Sequence, residues 1–353
     1  MNNSVEAVEI AAGQAPLVAD PTAPSLRDAL AAVAAHPMWE RDKSFVAPQP
    51  RSSNGPHLWR WRDMLPLIDR AVREVGMEDA ERRVLLFKHP AYDMRGGTTN
   101  NLSAGLQILE PGERARAHRH SLSAIRFIMS GSGAVTVVDG KRCPMEEGDL
   151  LLTPTWTWHE HENQTDRRAV WFDGLDAPFA RHLDTVFFEP GPAREPPDDL
   201  SRVPDDVLAR GGPLPHDRLP AAGFSPQFRY PWSAALEALR KLPARDDGSK
   251  LLRYTNPIND GPVIPTLDCY LHEVAAGRAT RPVRSTSNAM CVVAEGEGRT
   301  RIGDQVIEWT RGDVFSLPHW KWISHEASTL SRLFLMTDRE LLARVGYLRE
   351  EWQ

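Results

Sequence analysis

His118 and His120 stand one residue apart in PGERARAHRH, and His159 follows a second apolar run and a proline-containing turn, PTWTW. Successive side chains of a strand point to opposite faces, so residues two apart share one. On a strand, His118 and His120 therefore look into the same space. A third imidazole delivered from another strand would complete a three-nitrogen donor set. Neutral imidazoles suit divalent iron, nickel, copper or zinc, and the donor type alone does not choose among them. Two histidines in isolation are more often ordinary core or surface residues than ligands, so the case rests on what surrounds them.

The surrounding spacing resembles the two signatures of the cupin superfamily. Gly112, five residues, then His118 and His120, with Gly131 further on, follows the first signature. Gly148, five residues, then Pro154, His159 and Asn163 follows the second, with Trp156 where glycine is usual. One departure bears on the chemistry. The cupin glutamate should lie near Ala124 or Ile125, and no carboxylate is there. A three-histidine site leaves one face of an octahedral ion open to a two-toothed substrate and a small third ligand such as dioxygen. This variant, with Ile125-Arg126-Phe127 behind the His-x-His, resembles the gentisate 1,2-dioxygenase family, which also includes salicylate, nitrosalicylate and 1-hydroxy-2-naphthoate dioxygenases.

The resemblance implies an all-β fold with flanking helices, a bicupin of two double-stranded β-helix barrels. It implies one Fe(II) per chain on His118, His120 and His159, and a homotetramer. The implied reaction is an extradiol-type cleavage of an aromatic acid between its carboxyl- and hydroxyl-bearing ring carbons, with both atoms of O2 entering the product. In relatives the glycine matching Gly105 leaves space for the substrate ring, and the glutamine matching Gln107 lies near it. Ser103 departs from the large aromatic usual two residues before that glycine. The vacated volume favours a 5-substituted salicylate, 5-nitrosalicylate or similar, with gentisate and its product maleylpyruvate as the alternative. An isomerase or a non-enzymatic storage or sensing bicupin is a second alternative. Against the first stands the missing glutamate; against the second, the three retained histidines.

Other residues are assigned from their chemistry. The Arg126 guanidinium fork matches the two oxygens of a substrate carboxylate. His161 shares a face with His159, where it could hydrogen-bond the substrate and shuttle a proton. Asp173, in a segment that resembles the family's closing strand near the iron, could orient an imidazole or Arg126. Arg119 alternates away from the ligands, and Trp156 and Trp158 read as barrel packing. Arg82 and Arg83 read as solvated charges, although one of them could face an anionic substrate.

The chain that must position these residues has 353 residues, room for two modest domains or one duplicated one. A net charge of −6 gives no basic footprint for nucleic acid. No apolar run approaches a membrane span. The first residues lack a positive n-region and carry Glu6 and Glu9, which reads as a disordered tail, 1–24, rather than a secretory signal. Cys143, Cys269 and Cys291 are odd in number and far apart, as expected of reduced thiols in a cytoplasm.

Helices are expected over 25–35, 63–75 and 231–242, and strands near 84–87, 98–109 and 150–153. Asp139-Gly140 after an alternating run marks a tight hairpin. A Pro-, Asp- and Arg-rich linker spans 189–228. Beyond it the first half repeats: Gly131-Ser132-Gly133 recurs as Gly296-Glu297-Gly298, Gly148-Asp149 as Gly312-Asp313, and Pro154 to His159 as Pro318 to Ile323. The copy has Ile323 for His159 and Arg281-Pro282-Val283-Arg284 for the His-x-His region, so a second metal is not expected there, although His319 and His325 remain. The expected division is a helical and extended segment at 25–96, a metal-binding barrel at 97–188, linker and helix at 189–245, and a metal-free barrel at 246–353.

Overall fold

The computed structural model describes residues 24–40, 47–52, 54–92, 97–191, 208 and 223–353. All but the last residue of the expected tail, and most of the proline-rich linker, lie outside them. Residues 1–51 and 52–353 form separate compact units. In the first, helix Leu26–Ala32 is capped by the Ser25 hydroxyl, which accepts from the Asp28 amide, and a single 3-10 turn follows at Met38–Glu40. Among the described residues no helix is long and apolar enough to cross a membrane.

The second unit begins with β1 (Leu58–Trp59), helices Trp61–Glu74 and Met77–Ala80, and β2 (Val84–Leu86). Its first set of long strands is β3 (Ser103–Leu109), β4 (Arg114–His120), β5 (Ala124–Ser130), β6 (Ala134–Val138), β7 (Lys141–Met145), β8 (Leu150–Thr153), β9 (His159–Glu162) and β10 (Ala169–Leu175). Helix Ala177–His182 and β11 (Phe188–Pro190) follow. After the linker come β12 (Arg229–Tyr230) and helix Trp232–Lys241. The copy is β13 (Lys250–Arg253), β14 (Asp268–Val274), β15 (Val283–Ser285), β16 (Ala289–Glu295), β17 (Glu297–Ile302), β18 (Gln305–Thr310), β19 (Val314–Leu317), β20 (Ile323–Ala327) and β21 (Ser331–Thr337). Helix Arg339–Arg344 and β22 (Glu350–Trp352) close the described chain.

These strands make two barrels, each a six-stranded sheet facing a five-stranded one. The front barrel has the orders β12-β8-β5-β10-β3-β2 and β11-β4-β9-β6-β7; the back barrel has β1-β19-β16-β21-β14-β13 and β18-β17-β20-β15-β22. Local chemistry sets the turns. Asp139 and Gly140 both take positive φ, 44° and 81°, as the two central residues of a type I′ hairpin between β6 and β7 must. Trp156, in the cupin glycine position, also has positive φ at 61°, and its copy Trp320 repeats it at 55°. Both indoles are covered by an arginine, Arg119 at 4.2 Å and Arg284 at 4.5 Å. Arg119 thus lies on the outer side of β4, where it also reaches Trp158 and pairs with Glu189.

The outer faces of the six-stranded sheets bury one continuous apolar core. Phe127 of β5 stacks on Phe334 of β21 with ring centroids 4.3 Å apart. Ile125, Leu152 and Phe172 from one barrel share this core with Leu271, Met290 and Met336 from the other. An aromatic pair of this kind adds about 0.5–1.5 kcal/mol beyond its buried area.

The segments leading into each barrel are exchanged. β1, which precedes the front barrel, pairs with β19 of the back barrel, and β12, which precedes the back barrel, pairs with β8 of the front. The Asp313 carboxylate accepts from the Trp61 amide at 2.8 Å, and Asp149 accepts from the Trp232 amide at 2.8 Å and from Arg229 at 2.7 Å. Both aspartates are buried (1% and 2% exposed), so each strap is pinned by a carboxylate that has no water to replace it. Asp149→Ala or Asp313→Ala leaves buried donors unmet and is expected to cost about 2–4 kcal/mol in urea unfolding. An unchanged midpoint in both variants would remove the clasps as a source of stability.

Candidate metal centre and active site

β4 and β9 lie side by side with His118 opposite His159, after a bulge between Ala115 and His118. The ring centroids of His118 and His159 are 4.1 Å apart, those of His120 and His159 4.8 Å, and those of His118 and His120 5.4 Å. Each ring offers one nitrogen, and these atoms all lie within 4.8 Å of one another. Among the described residues this is the one group of three or more His, Cys, Asp or Glu side chains so arranged.

The backbone chooses the tautomer. His118 Nδ1 lies 3.0 Å from the Arg116 carbonyl, His120 Nδ1 2.8 Å from that of Leu122, and His159 Nδ1 2.9 Å from that of Thr157. A carbonyl only accepts, so each Nδ1 carries the hydrogen and each Nε2 keeps its lone pair. Burial, then the nearby Arg82 charge, pushes the His118 pKa down to about 3, and burial with Arg126 pushes His120 to about 4. His159 is driven well below its usual range by burial and by its histidine neighbours. Three rings held neutral with their Nε2 atoms converging are the form in which imidazole binds a metal. The donor set therefore fits a divalent transition ion.

The wall facing the triad comes from β3, β5 and β10. Register puts Asp173 opposite both Gly105 and Arg126, and Trp171 opposite Gln107, so these side chains share the inner face. Ser103, opposite Leu175, falls on the same face. Arg126 is 3% exposed; its Nε stands 3.5 Å from Asp173 Oδ1 without a hydrogen bond, and its Nη1 reaches Thr153. Burial lowers the Arg126 pKa and raises that of Asp173. A guanidinium nevertheless stays protonated in the neutral range, so its charge has to be met by Asp173 or by an anion that enters. His161 turns Nδ1 to the Thr136 hydroxyl at 2.8 Å, and its ring lies 5.3 Å from Trp171.

Six buried polar atoms on these residues have no partner: Gln107 Nε2, Arg126 Nε, His159 Nε2, His161 Nε2, Trp171 Nε1 and Asp173 Oδ1. Buried polar groups are nearly always paired, because leaving one unmet costs about 1–3 kcal/mol. Their concentration in one interior marks a place prepared for polar ligands.

All nine residues singled out from the sequence stand in this barrel, and the structure adds others. Of the two arginines read as solvated charges, Arg83 is 4% exposed and gripped by Glu113 at 2.9 Å. Arg82 lies 5.1 Å over the ring of Phe188, and its charge acts on His118 and Asp173. Alternation along a strand could have said that only one of the two faces inward, but not which. Phe188 stacks against His118 at 5.4 Å, placed there because β11 pairs with the edge of β4. No local residue pattern announces that this segment lies against the histidines. Gly105 also changes its account. A Cβ there would sit 2.7 Å from the Leu85 carbonyl and 3.1 Å from Leu86 Cα, so the close approach of β2 is by itself a reason for the glycine.

Comparison with known proteins fits this architecture. The cupin domain family matches residues 105–175, and with the second barrel the chain is a bicupin. A gentisate 1,2-dioxygenase of Aquipseudomonas alcaligenes is 38% identical over 89% of this chain and 92% of its own length. A 5-aminosalicylate 1,2-dioxygenase of a Comamonas species is 38% identical over 89% and 86%. The crystal structure of a salicylate 1,2-dioxygenase from Pseudoaminobacter salicylatoxidans, in adducts with gentisate, superposes with a TM-score of 0.85 at 31% identity, covering 96% of each chain. The chain belongs to the gentisate/salicylate 1,2-dioxygenase family.

Gly105→Ala separates the two accounts of that glycine. The added methyl meets backbone, so unfolding free energy is expected to fall by about 1–3 kcal/mol in denaturant titration. Wild-type stability with a raised KM would return the position to substrate fit.

Proposed function

We propose that the chain is a non-haem Fe(II) 1,2-dioxygenase that cleaves a 5-substituted 2-hydroxybenzoate between its carboxyl- and hydroxyl-bearing carbons, in extradiol fashion, with both atoms of O2 in the product. The observation that carries this reading is the set of six unpartnered buried polar atoms around a histidine triad and a buried arginine. His118, His120 and His159 would hold the metal through Nε2. When bound, Fe(II) supplies the Lewis acidity that favours the phenolate and the one-electron chemistry that a ring needs to react with dioxygen.

The chain's own groups do the rest. Arg126, short of a hydrogen-bonded counter-charge, binds the substrate carboxylate, with Arg82 adding positive potential from the other side. Asp173 keeps the guanidinium in place, and Thr153 fixes its Nη1. His161, with Nδ1 committed to Thr136, presents Nε2 to the substrate oxygens and can take or return the phenolic proton. Gln107 Nε2 and Trp171 Nε1 are donors for the remaining oxygen lone pairs. Phe188, stacked on His118, covers one side of that ligand.

Substrate choice rests on Ser103, a small side chain where the family usually carries a large aromatic. It leaves room at the ring position para to the hydroxyl, which suits 5-nitrosalicylate or another bulky 5-substituent. Relatives named for gentisate and 5-aminosalicylate weigh toward a 5-hydroxyl or 5-amino group. The front barrel, 97–188, is the catalytic domain in this reading, with 246–353 as its support in a cytoplasmic homotetramer. The three cysteines are buried and outside any disulfide, which suits the thiols of a cytoplasmic protein.

Oxygen uptake by iron-loaded protein with gentisate, salicylate, 5-aminosalicylate and 5-nitrosalicylate tests the assignment. Turnover of at least one is expected, and fast gentisate turnover with none of 5-nitrosalicylate would overturn the role given to Ser103. His159→Ala should purify without stoichiometric iron by elemental analysis. Arg126→Gln should keep its iron yet lose on the order of 10²-fold in kcat/KM, the consequence of an unmet substrate carboxylate. Retained activity in Arg126→Gln would move carboxylate binding elsewhere.

A further inference from the structure

The back barrel keeps a hollow interior of about 440 Å³, within the range of small-molecule sites. Its lining follows strand alternation: Leu251 and Arg253 from β13, Tyr270 and His272 from β14, Leu335 and Thr337 from β21. The duplication says what changed. Val283 pairs with Ile323 as His118 pairs with His159, and Ser285 stands where β4 has His120. Cys291 opposite Leu335 replaces the Arg126–Asp173 pair with an apolar wall.

Two polar positions survive. His325 turns Nδ1 to the Thr300 hydroxyl at 2.8 Å, as His161 does to Thr136. His272 lies opposite Leu333 as Gln107 lies opposite Trp171. It is 7% exposed, and its Nε2 has no partner, the same condition as Gln107 Nε2. Burial pushes the His272 pKa down to about 4 and that of His325 to about 3, so both rings are neutral donors or acceptors.

The lining also holds Arg245, which has no carboxylate partner among the described residues, and Arg281, whose Nε donates to the Gln353 oxygen while its terminal nitrogens stay available; Arg253 and Arg339 are paired, with Asp268 at 3.1 Å and Glu350 at 2.6 Å. Asp247, the other acid of the lining, accepts from the Arg281 and Ser249 amides. Arg245 stands 5.3 Å over the Trp352 ring.

We propose that the back barrel is a second, metal-free binding site for a small organic carboxylate with a compact apolar body. The carboxylate meets Arg245 and Arg281, the body fills the space walled by Leu251, Leu317 and Leu335, and His272 Nε2 takes a polar substituent. This site does not depend on the reaction assigned to the front barrel.

Benzoate, which lacks the neighbouring hydroxyl, is a suitable probe in equilibrium dialysis against the iron-loaded full chain. One benzoate is expected to remain bound per chain in Arg126→Gln, and to be weakened at least about tenfold by adding Arg245→Met or His272→Leu. Arg245 is exposed, so its variant reports even where the buried His272 substitution disturbs folding. Benzamide and acetate, lacking the charge and the apolar body respectively, should fail to displace the probe. No benzoate bound in Arg126→Gln, binding indifferent to Arg245→Met, or displacement by acetate at equal concentration would each overturn the proposal.

Discussion

Three hydrogen bonds from histidine Nδ1 to carbonyls two residues away govern the front barrel. Each fixes a tautomer and a ring plane from within its own strand segment, so the converging nitrogens need no further side chain to aim them. Everything else in the interior is arranged around that convergence. The wall opposite carries one buried cation whose neighbouring carboxylate is 3.5 Å away and not hydrogen-bonded. A site so short of partners is stable only because two packed sheets and a shared inter-barrel core over-determine its walls.

That shared core explains why the chain carries two barrels. Phe127 on Phe334, and the exchanged straps pinned on Asp149 and Asp313, make each barrel part of the other's wall. The back barrel has therefore been free to lose imidazoles while its packing duties stayed fixed. What it retained is informative: the histidine–threonine pair, the arginine-covered tryptophan at positive φ, and the closing edge strand all recur. The packing and turn chemistry were conserved between the halves, whereas the donor set was not.

Much of the centre was legible because strand alternation is a local rule. Period two puts His118 with His120 and His159 with His161, while the resemblance to the family's motifs singled out the triad and placed Asp173. Helix and strand positions came out close: 63–75 was expected and Trp61–Glu74 is observed, and Leu150–Thr153 matches its expected span. Arg82 and Arg83 show the limit. Both precede the same strand, and only the docking of Glu113 beside Arg83 decides that Arg82 is the one left near the histidines. Gly105 shows another limit, since one reason for it is a neighbouring strand whose approach no local pattern announces.

The sequence by itself determined the donor set, the duplication and the absence of a carboxylate at the usual cupin position, because these depend on residue type and on spacing along one chain. Tertiary structure alone decided that β1 and β12 cross to the opposite barrel, that Phe188 closes over His118, and that His272 takes the place of Gln107 in the second interior. Those outcomes depend on which distant surfaces bury each other, and burial is a property of the assembled sheets rather than of any stretch of chain.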